Sequence, residues 1–450
     1  MIKPRFEYKD CLLFLSIATI PLQTLAIPAR STLVDISCIL VATYFILYLP
    51  KKSLLKLVYL FIGFSLLSIL SGVLWELSYP IARIVAPAAF YSMMACLLVS
   101  HNTRLVIKTN VINSAIYTSI IISIISTIAF KLNSLSRFGL GGVFSESSYA
   151  SLYYSASIGY LLTLIFFKLG TENGWKILRL FFSVIMLIYA LVSFPGIHPA
   201  SLAISLSILY LESIYRRTVL FITRLRSKKV NLVLAMTIII MTISFINDEN
   251  NILMSRITSR LAGFTSGDNL SSLVYSAGFF QFANSIQLCP IIGCGSGSPG
   301  YLGLDIYGYL TKLTSVPYYI QLASSLNKHD LYSLFFRAIV ELGPILGGIL
   351  LLGTFMRFYN AFKLLLKGLM RQVSTMYAKS HSHDYEGIKL LAILTWFFIF
   401  YIGSLLKEPH LFRSITFTPI MLGLLISRQI LNPPALYEPK ANQIDKHNQV

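Results

Sequence analysis

The chain has 450 residues, of which 55% are hydrophobic and only 12% charged, whereas a soluble domain carries roughly 25% charged residues. Its formal net charge is +19. Apolar runs of about 20 residues recur from end to end, each long enough to cross a bilayer core of about 30 Å. A soluble enzyme is excluded, and no nucleic acid is expected as a partner, because cytoplasmic loops of membrane proteins retain Lys and Arg on their own account.

Lys3, Arg5 and Lys9 precede the first apolar run, which continues through Pro21 and Pro28 with no small-residue cleavage site. It reads as a retained span rather than a cleaved signal. Run length predicts about twelve spans. They fall at residues 11–27, 33–49, 54–74, 81–99, 111–130, 149–167, 177–194, 200–215, 230–246, 334–356, 390–406 and 415–426. The pair around Pro195 and Gly196 reads as a broken or re-entrant element, and the last span is short. The expected fold is all-α, a polytopic transmembrane helical bundle with one large, partly helical outer loop. Residues 1–246 form the N-terminal set of about nine spans. Residues 247–333 form the loop, 334–427 the C-terminal spans and 428–450 a proline-bearing polar tail with the composition of a disordered segment.

Positive charge sets the orientation. Lys51, Lys52, Lys56, Arg104, Lys108, the cluster from Arg216 to Lys229 and the stretch from Arg357 to Lys379 fall on one side. The opposite short loops hold only Arg30, Lys131, Arg137, Lys407 and Arg413. This asymmetry places both termini inside and the long loop outside. Within residues 357–380, Lys363, Lys367 and Arg371 are spaced by four and share one helix face, which predicts a basic amphipathic helix lying on an anionic inner leaflet. Membrane lipids are thus expected partners.

Of the five cysteines, Cys11, Cys38 and Cys96 lie in apolar runs and read as packing residues. Cys289 and Cys294 lie in the long loop as Cys-Pro-Ile-Ile-Gly-Cys. In an oxidising space they would bridge; otherwise they are two free thiols, and the sequence leaves both readings open. No zinc spacing is present, so neither a metal nor another cofactor is expected.

The informative charges cluster at the outer ends of the spans: Arg83, Arg137, Glu146, Arg337, Glu341, Lys407, Glu408, His410 and Arg413. Ionisable groups at such positions face a polar interior or a pathway. Arg337 and Glu341 are spaced by four, so a plain structural ion pair competes with a functional role. Guanidinium grips phosphate oxygens with two parallel bonds, so outer arginines, with Arg256 and Arg260 in the loop, suit a lipid diphosphate and the charge on its departure. No Asp-x-Asp pair appears, which disfavours a metal-dependent nucleotide-sugar transferase. His329 is the best proton acceptor in the loop, with His198 and His410 as alternatives and a plain exposed loop histidine as the competing reading. Gly295-Ser-Gly-Ser-Pro-Gly300 matches a dinucleotide-binding spacing but lacks the βαβ context and the phosphate-loop Lys. A tight turn that re-enters the surface is the better account. Tyr275, Tyr301, Tyr307, Tyr309, Tyr318 and Tyr319 suit either sugar stacking or an interfacial belt.

Three stretches together carry a family resemblance. Arg137-Phe-Gly-Leu-Gly-Gly-Val-Phe-Ser-Glu146-Ser-Ser-Tyr-Ala resembles the Arg…Gly-x-Phe-x-Glu-Pro-Ser-x-x-Ala stretch of O-antigen and exopolysaccharide polymerases, with Ser147 in place of the usual proline. Pro290-Ile-Ile-Gly-Cys-Gly-Ser-Gly resembles their Pro-x-x-Gly-x-Gly segment. His329-Asp-Leu-Tyr-Ser-Leu-Phe-Phe-Arg-Ala-Ile-Val-Glu-Leu-Gly343 resembles a stretch shared with O-antigen ligases. The resemblance implies a metal-independent glycosyltransferase that polymerises undecaprenyl-diphosphate-linked oligosaccharide at the periplasmic face of the bacterial inner membrane. It also implies a chain-length regulator as a partner. Together with the reading of the outer charges, it makes His329, Glu146 and Glu341 the catalytic candidates, and Arg83, Arg137, Arg256, Arg260, Arg337, Arg413 and Tyr301 the diphosphate and glycan contacts. The family arginine nearer the glycine-rich turn is missing. So is the Ser-Arg that ligases carry after the seventh span, where Ser193-Phe-Pro-Gly-Ile-His198 stands. A ligase and a transporter or flippase of the same lipid-linked glycan are the alternatives.

Overall fold

The computed structural model describes residues 7–22, 26–29, 32–77, 80–99, 107–133, 147–168, 200–210, 270–325, 331–375, 383–407 and 410–432. These are mostly helix. In chain order they form α1 (Tyr8–Ala18), strands β1 (Ala26–Ala29) and β2 (Thr32–Asp35), α2 (Ile36–Tyr48), α3 (Lys51–Leu74), α4 (Ala82–Val99), α5 (Thr109–Asn133) and α6 (Ser147–Lys168). After them come α7 (Ala200–Tyr210), α8 (Leu270–Leu288), α9 (Ile306–Leu310), α10 (Pro317–Ser325), α11 (Leu334–Thr375), α12 (His383–Leu406) and α13 (Phe417–Leu431). The predicted spans at 177–194 and 230–246 lie outside the described residues.

Among the described residues three helices are long and apolar enough to cross a membrane: α3, α11 over Leu334–Leu369 and α12 over Glu386–Leu406. α3 shows what surrounds it. Leu55, Val58, Tyr59, Ile62, Leu66, Ile69, Leu70 and Val73 are all exposed, an apolar face no water-soluble protein leaves uncovered. α12 is the opposite case. Every residue from Leu391 to Tyr401 is buried, and a helix apolar on all sides belongs in the centre of a bundle. It packs on α6, α11, α13 and α5. Tyr210 on α7 bonds both Thr163 on α6 at 2.9 Å and Thr395 on α12 at 3.0 Å, tying three helices through one buried hydroxyl.

Two expectations differ from the structure. The first two predicted spans are not two full-length helices. α1 has 11 residues and α2 has 13, about 17 and 20 Å long. Between them lies an antiparallel β-hairpin in which Ala26 pairs with Asp35 and Ala29 with Thr32. Proline explains the break. Pro21 has no N–H to continue the helix, and the chain leaves it through a turn in which Ile20 N–H donates to the Ile17 carbonyl; Pro28 fits the edge of a two-stranded ribbon. The expected all-α chain thus carries one small sheet.

The second difference is the basic segment at 357–380. It is not a separate helix, because the part of α11 beyond the break at Gly343 runs without interruption into it as far as Thr375, residues 376–380 lying outside the described residues. The part beyond Gly343 extends about 48 Å, well over a hydrocarbon thickness of about 30 Å. Packing ties the far half to α12: Phe358 meets Phe398 and Tyr401, and Leu369 packs on Gly387. Lys363 and Lys367 stay on its outer side, partly or fully exposed.

The loop at 270–325 builds its own small core. Leu273, Ala277, Leu302, Leu310, Ile320 and Val340 are buried together, separately from the main bundle. At the other end of the bundle, Asp10 on α1 accepts from Lys108 at 2.6 Å. That bond raises the lysine pKa above its ordinary value.

Candidate functional site

The long loop meets the bundle at a break in α11, and the break follows from two adjacent residues, Gly343 and Pro344. The helix itself begins cleanly: Ser333 caps it, its Oγ accepting from the Phe336 N–H at 3.1 Å. Farther along, Gly343 adopts φ 82° and ψ 163°, a conformation open essentially to glycine alone. Pro344 then supplies no N–H to the Val340 carbonyl four residues back. The glycine-rich turn fills the gap. Cys294 N–H donates to that Val340 carbonyl at 2.7 Å and Gly295 N–H to the Glu341 carbonyl at 3.1 Å. Ser296 N–H donates to Ser68 Oγ on α3, and Gly297 N–H to Glu341 Oε1, each at 3.0 Å.

Four successive backbone donors are thus taken by protein acceptors. Successive N–H groups in such a turn can cradle a phosphate, but here all four are already bonded. The turn is a plug, in keeping with the re-entrant turn read from its sequence. Its fit is close. Trp75 Nε1 at the end of α3 donates to the Gly293 carbonyl at 3.1 Å. A Cβ on Gly297 would lie 2.5 Å from the Arg83 carbonyl.

Cys289 and Cys294 are joined by a disulfide, with Cα atoms 5.3 Å apart, which decides between the two readings left open above. Cys11, Cys38 and Cys96 are free. Closing so short a loop stabilises by about 2 kcal/mol. Alkylation of unreduced, denatured protein should therefore label three cysteines, rising to five after reduction. Five labels without reductant would show that the bridge does not form.

Glu341 is the hub of this junction and is 1% exposed. Oε1 accepts from Arg337 Nε at 3.1 Å as well as from Gly297, and Oε2 accepts from Tyr91 on α4 at 2.8 Å. Arg337 is 5% exposed. The pair is the i,i+4 ion pair expected as the structural alternative. Arg83 reaches the same junction through its backbone, at the head of α4. Tyr301 follows directly in a short 3-10 turn, where its N–H donates to the Ser298 carbonyl at 2.8 Å.

Arg413 belongs to a neighbouring ion pair. It is 5% exposed, its Nη1 lies 2.9 Å from Asp35 Oδ1, and its guanidinium sits over the Tyr149 ring at 5.2 Å. Asp35 Oδ2 also accepts from the Ser414 N–H at 2.6 Å. Tyr149 meets His410 edge-on at 6.3 Å. Adjacent residues of α4 touch both centres: Tyr91 bonds Glu341, and Phe90 packs on Phe412 and Phe417. Arg83, Arg337, Glu341, Tyr301 and Arg413 therefore gather at one end of the bundle.

His329, Glu146, Arg137, Arg256 and Arg260 lie outside the described residues. Of the tyrosines considered for sugar stacking, Tyr275 packs edge-on against Tyr332 at 4.5 Å and Tyr309 stacks on Phe280 at 4.3 Å. Tyr307 and Tyr318 are exposed. Sequence reasoning passed over Asp35, Ser68, Trp75 and Tyr91. Asp35 had a signal, a lone carboxylate at the head of an apolar run. The other three sit in apolar surroundings that conceal a polar task. Among the described residues no three His, Cys, Asp or Glu side chains group closely enough to hold a metal. Compared with known proteins, the chain matches no protein-family model and no curated protein.

Proposed function

We propose that this chain is a multi-pass membrane glycosyltransferase of about twelve spans that polymerises lipid-diphosphate-linked glycan repeat units. The lipid class is undecaprenyl diphosphate, and the work is done at the periplasmic face of a bacterial inner membrane, with both termini cytoplasmic. One observation carries the reading. Two of the stretches that resemble the O-antigen polymerases, at 290–297 and 329–343, form one hydrogen-bonded unit through Cys294, Gly295 and Gly297. The described end of the third stretch, Tyr149, lies against Arg413 and His410 at the same end of the bundle. The disulfide also suits a loop in an oxidising space.

Roles follow from what each side chain is free to do. Glu341 has its oxygens committed to three donors and Arg337 has Nε committed to Glu341, so both are positioning residues that keep the mouth of α11 in shape. Arg256 and Arg260 bind the donor diphosphate and steady its departing charge. His329 takes the proton from the acceptor hydroxyl. Arg137 and Glu146 shape the acceptor glycan site.

His329→Ala and Arg260→Ala should each abolish long chains, a loss of about a hundredfold or more in elongation, while the protein still inserts. The measurement is the ladder of polysaccharide lengths in cells carrying each variant. A normal ladder from both would remove these assignments. The break in α11 is the feature a transporter would use, since discontinuous helices expose carbonyls to cargo. Here the Val340 and Glu341 carbonyls are taken by Cys294 and Gly295. Purified protein given lipid-linked repeat units should make longer products. Relocation of lipid across the bilayer without new bonds would favour the transporter.

A further inference from the structure

Two arginines away from the glycine turn hold buried donor nitrogens without an acceptor among the described residues. Arg428, in the last turn of α13, is 1% exposed. Its Nε, Nη1 and Nη2 all lack an acceptor among the described residues. Arg357 on α11 is half-buried, and its Nε and Nη2 are in the same condition. It lies about 20 Å beyond the break at Gly343, and Phe358 beside it packs on Gly423 of α13, about one and a half turns from Arg428. A cation in the last turn complements the helix dipole, which explains one charge there but not three unused donor nitrogens. Two like charges on helices that pack together, their buried donors without an acceptor among the described residues, are costly. A bound anion would answer both charges.

The surroundings say which anion. α13 also packs on α4, whose Cys96 thiol donates to the Ser53 carbonyl at the start of α3. Lys51, Lys52 and Lys56 are exposed on that first stretch of α3, and the apolar face of Leu55, Tyr59 and Ile62 continues from it. Met356, next to Arg357, is exposed as well. Gln429 bonds the backbone of Ile107 in both directions, which anchors the end of α13. Guanidinium groups beside an acyl-chain surface fit a phosphate carried on a lipid, which their planar donors grip.

We propose that Arg357 and Arg428 form a second anion site, at the end of the bundle opposite the glycine turn, which binds the phosphate of a lipid headgroup. The proposal does not depend on the polymerase reading. It is tested on the full chain in detergent by thermal unfolding and native mass spectrometry. The probes are phosphatidylglycerol, a diacylglycerol with the same acyl chains, and inorganic phosphate. Phosphatidylglycerol should raise the unfolding midpoint and remain bound, and diacylglycerol should do neither. Arg357→Met and Arg428→Met should each weaken phosphatidylglycerol binding about tenfold or more, as loss of charge-assisted bonds implies. Each should keep or exceed the lipid-free stability, because an unanswered charge has been removed. If Arg428→Met does not fold, the less buried Arg357→Met still gives the answer. A phosphatidylglycerol response that is absent in the wild type, or undiminished in Arg357→Met, overturns the site. An equal response to inorganic phosphate alone overturns the lipid as its source.

Discussion

Glu341→Ala should be among the most damaging single substitutions in this chain. Removing the carboxylate leaves the Arg337 charge in a site where it is 5% exposed, and it strips an acceptor from the Gly297 N–H and the Tyr91 hydroxyl. Breaking a buried pair by deleting one partner costs about 3–5 kcal/mol, a large fraction of a typical protein's stability. The measurement is the folded, monodisperse fraction of detergent-solubilised protein against temperature. Arg337→Met with Glu341→Leu should recover much of the loss, since it removes both charges, but not all of it. The Gly297 N–H stays unsatisfied, at about 1–3 kcal/mol. A single variant as stable as the wild type would mean that the junction is not held by this pair.

Gly343→Ala should be comparably severe for a different reason. At φ 82° and ψ 163° a side chain costs about 1–3 kcal/mol in backbone strain alone. The new Cβ would also stand 2.2 Å from the Ile291 carbonyl oxygen and 2.7 Å from the Gly293 nitrogen. Both are backbone atoms of the docked turn and cannot swing aside. Pushing the turn away breaks the bonds from Cys294 and Gly295 to α11, each worth about 1 kcal/mol. Gly303→Ala provides the comparison. Gly303 also has a positive φ, of 67°, but nothing lies within 4 Å of the place its new methyl group would take, so it should lose only about 1 kcal/mol. Equal losses at the two positions would show that the clash with the turn is unimportant.

If the polymerase reading is right, both variants should also shorten the polysaccharide, because they unseat the segment next to His329. Growth of normal-length chains with the turn displaced would separate the junction from catalysis. The lipid-phosphate site at Arg357 and Arg428 should be indifferent to either change, provided the protein still folds, since it lies about 20 Å along α11 from the break.

Much of this protein could be read from its residues in order. The apolar runs at 54–74, 334–356 and 390–406 correspond to the three described helices able to cross a membrane, because a run of that length has few alternatives to a spanning helix. The i,i+4 spacing of Arg337 and Glu341 foretold their ion pair, and Gly-Ser repetition foretold a tight turn. These are local matters, settled by neighbours within a helical turn or two. Pro21 and Pro28 were visible too, but whether they kink a span or end it depends on what the next segment packs against.

What the linear order of residues could not contain was partnership across distance. Tyr91 meets Glu341, Ser68 meets Ser296 and Asp35 meets Arg413, and none of these pairs shares a local pattern. Each is decided by which helices pack side by side, where a polar group out of reach of water takes whatever acceptor or donor the neighbour presents. The same physics separates two kinds of arginine that look alike in the chain. Arg337 and Arg413 are buried with carboxylates, while Arg357 and Arg428 hold buried nitrogens without acceptors among the described residues. Only the tertiary structure distinguishes a charge that already has its acceptor from one that has none among the described residues.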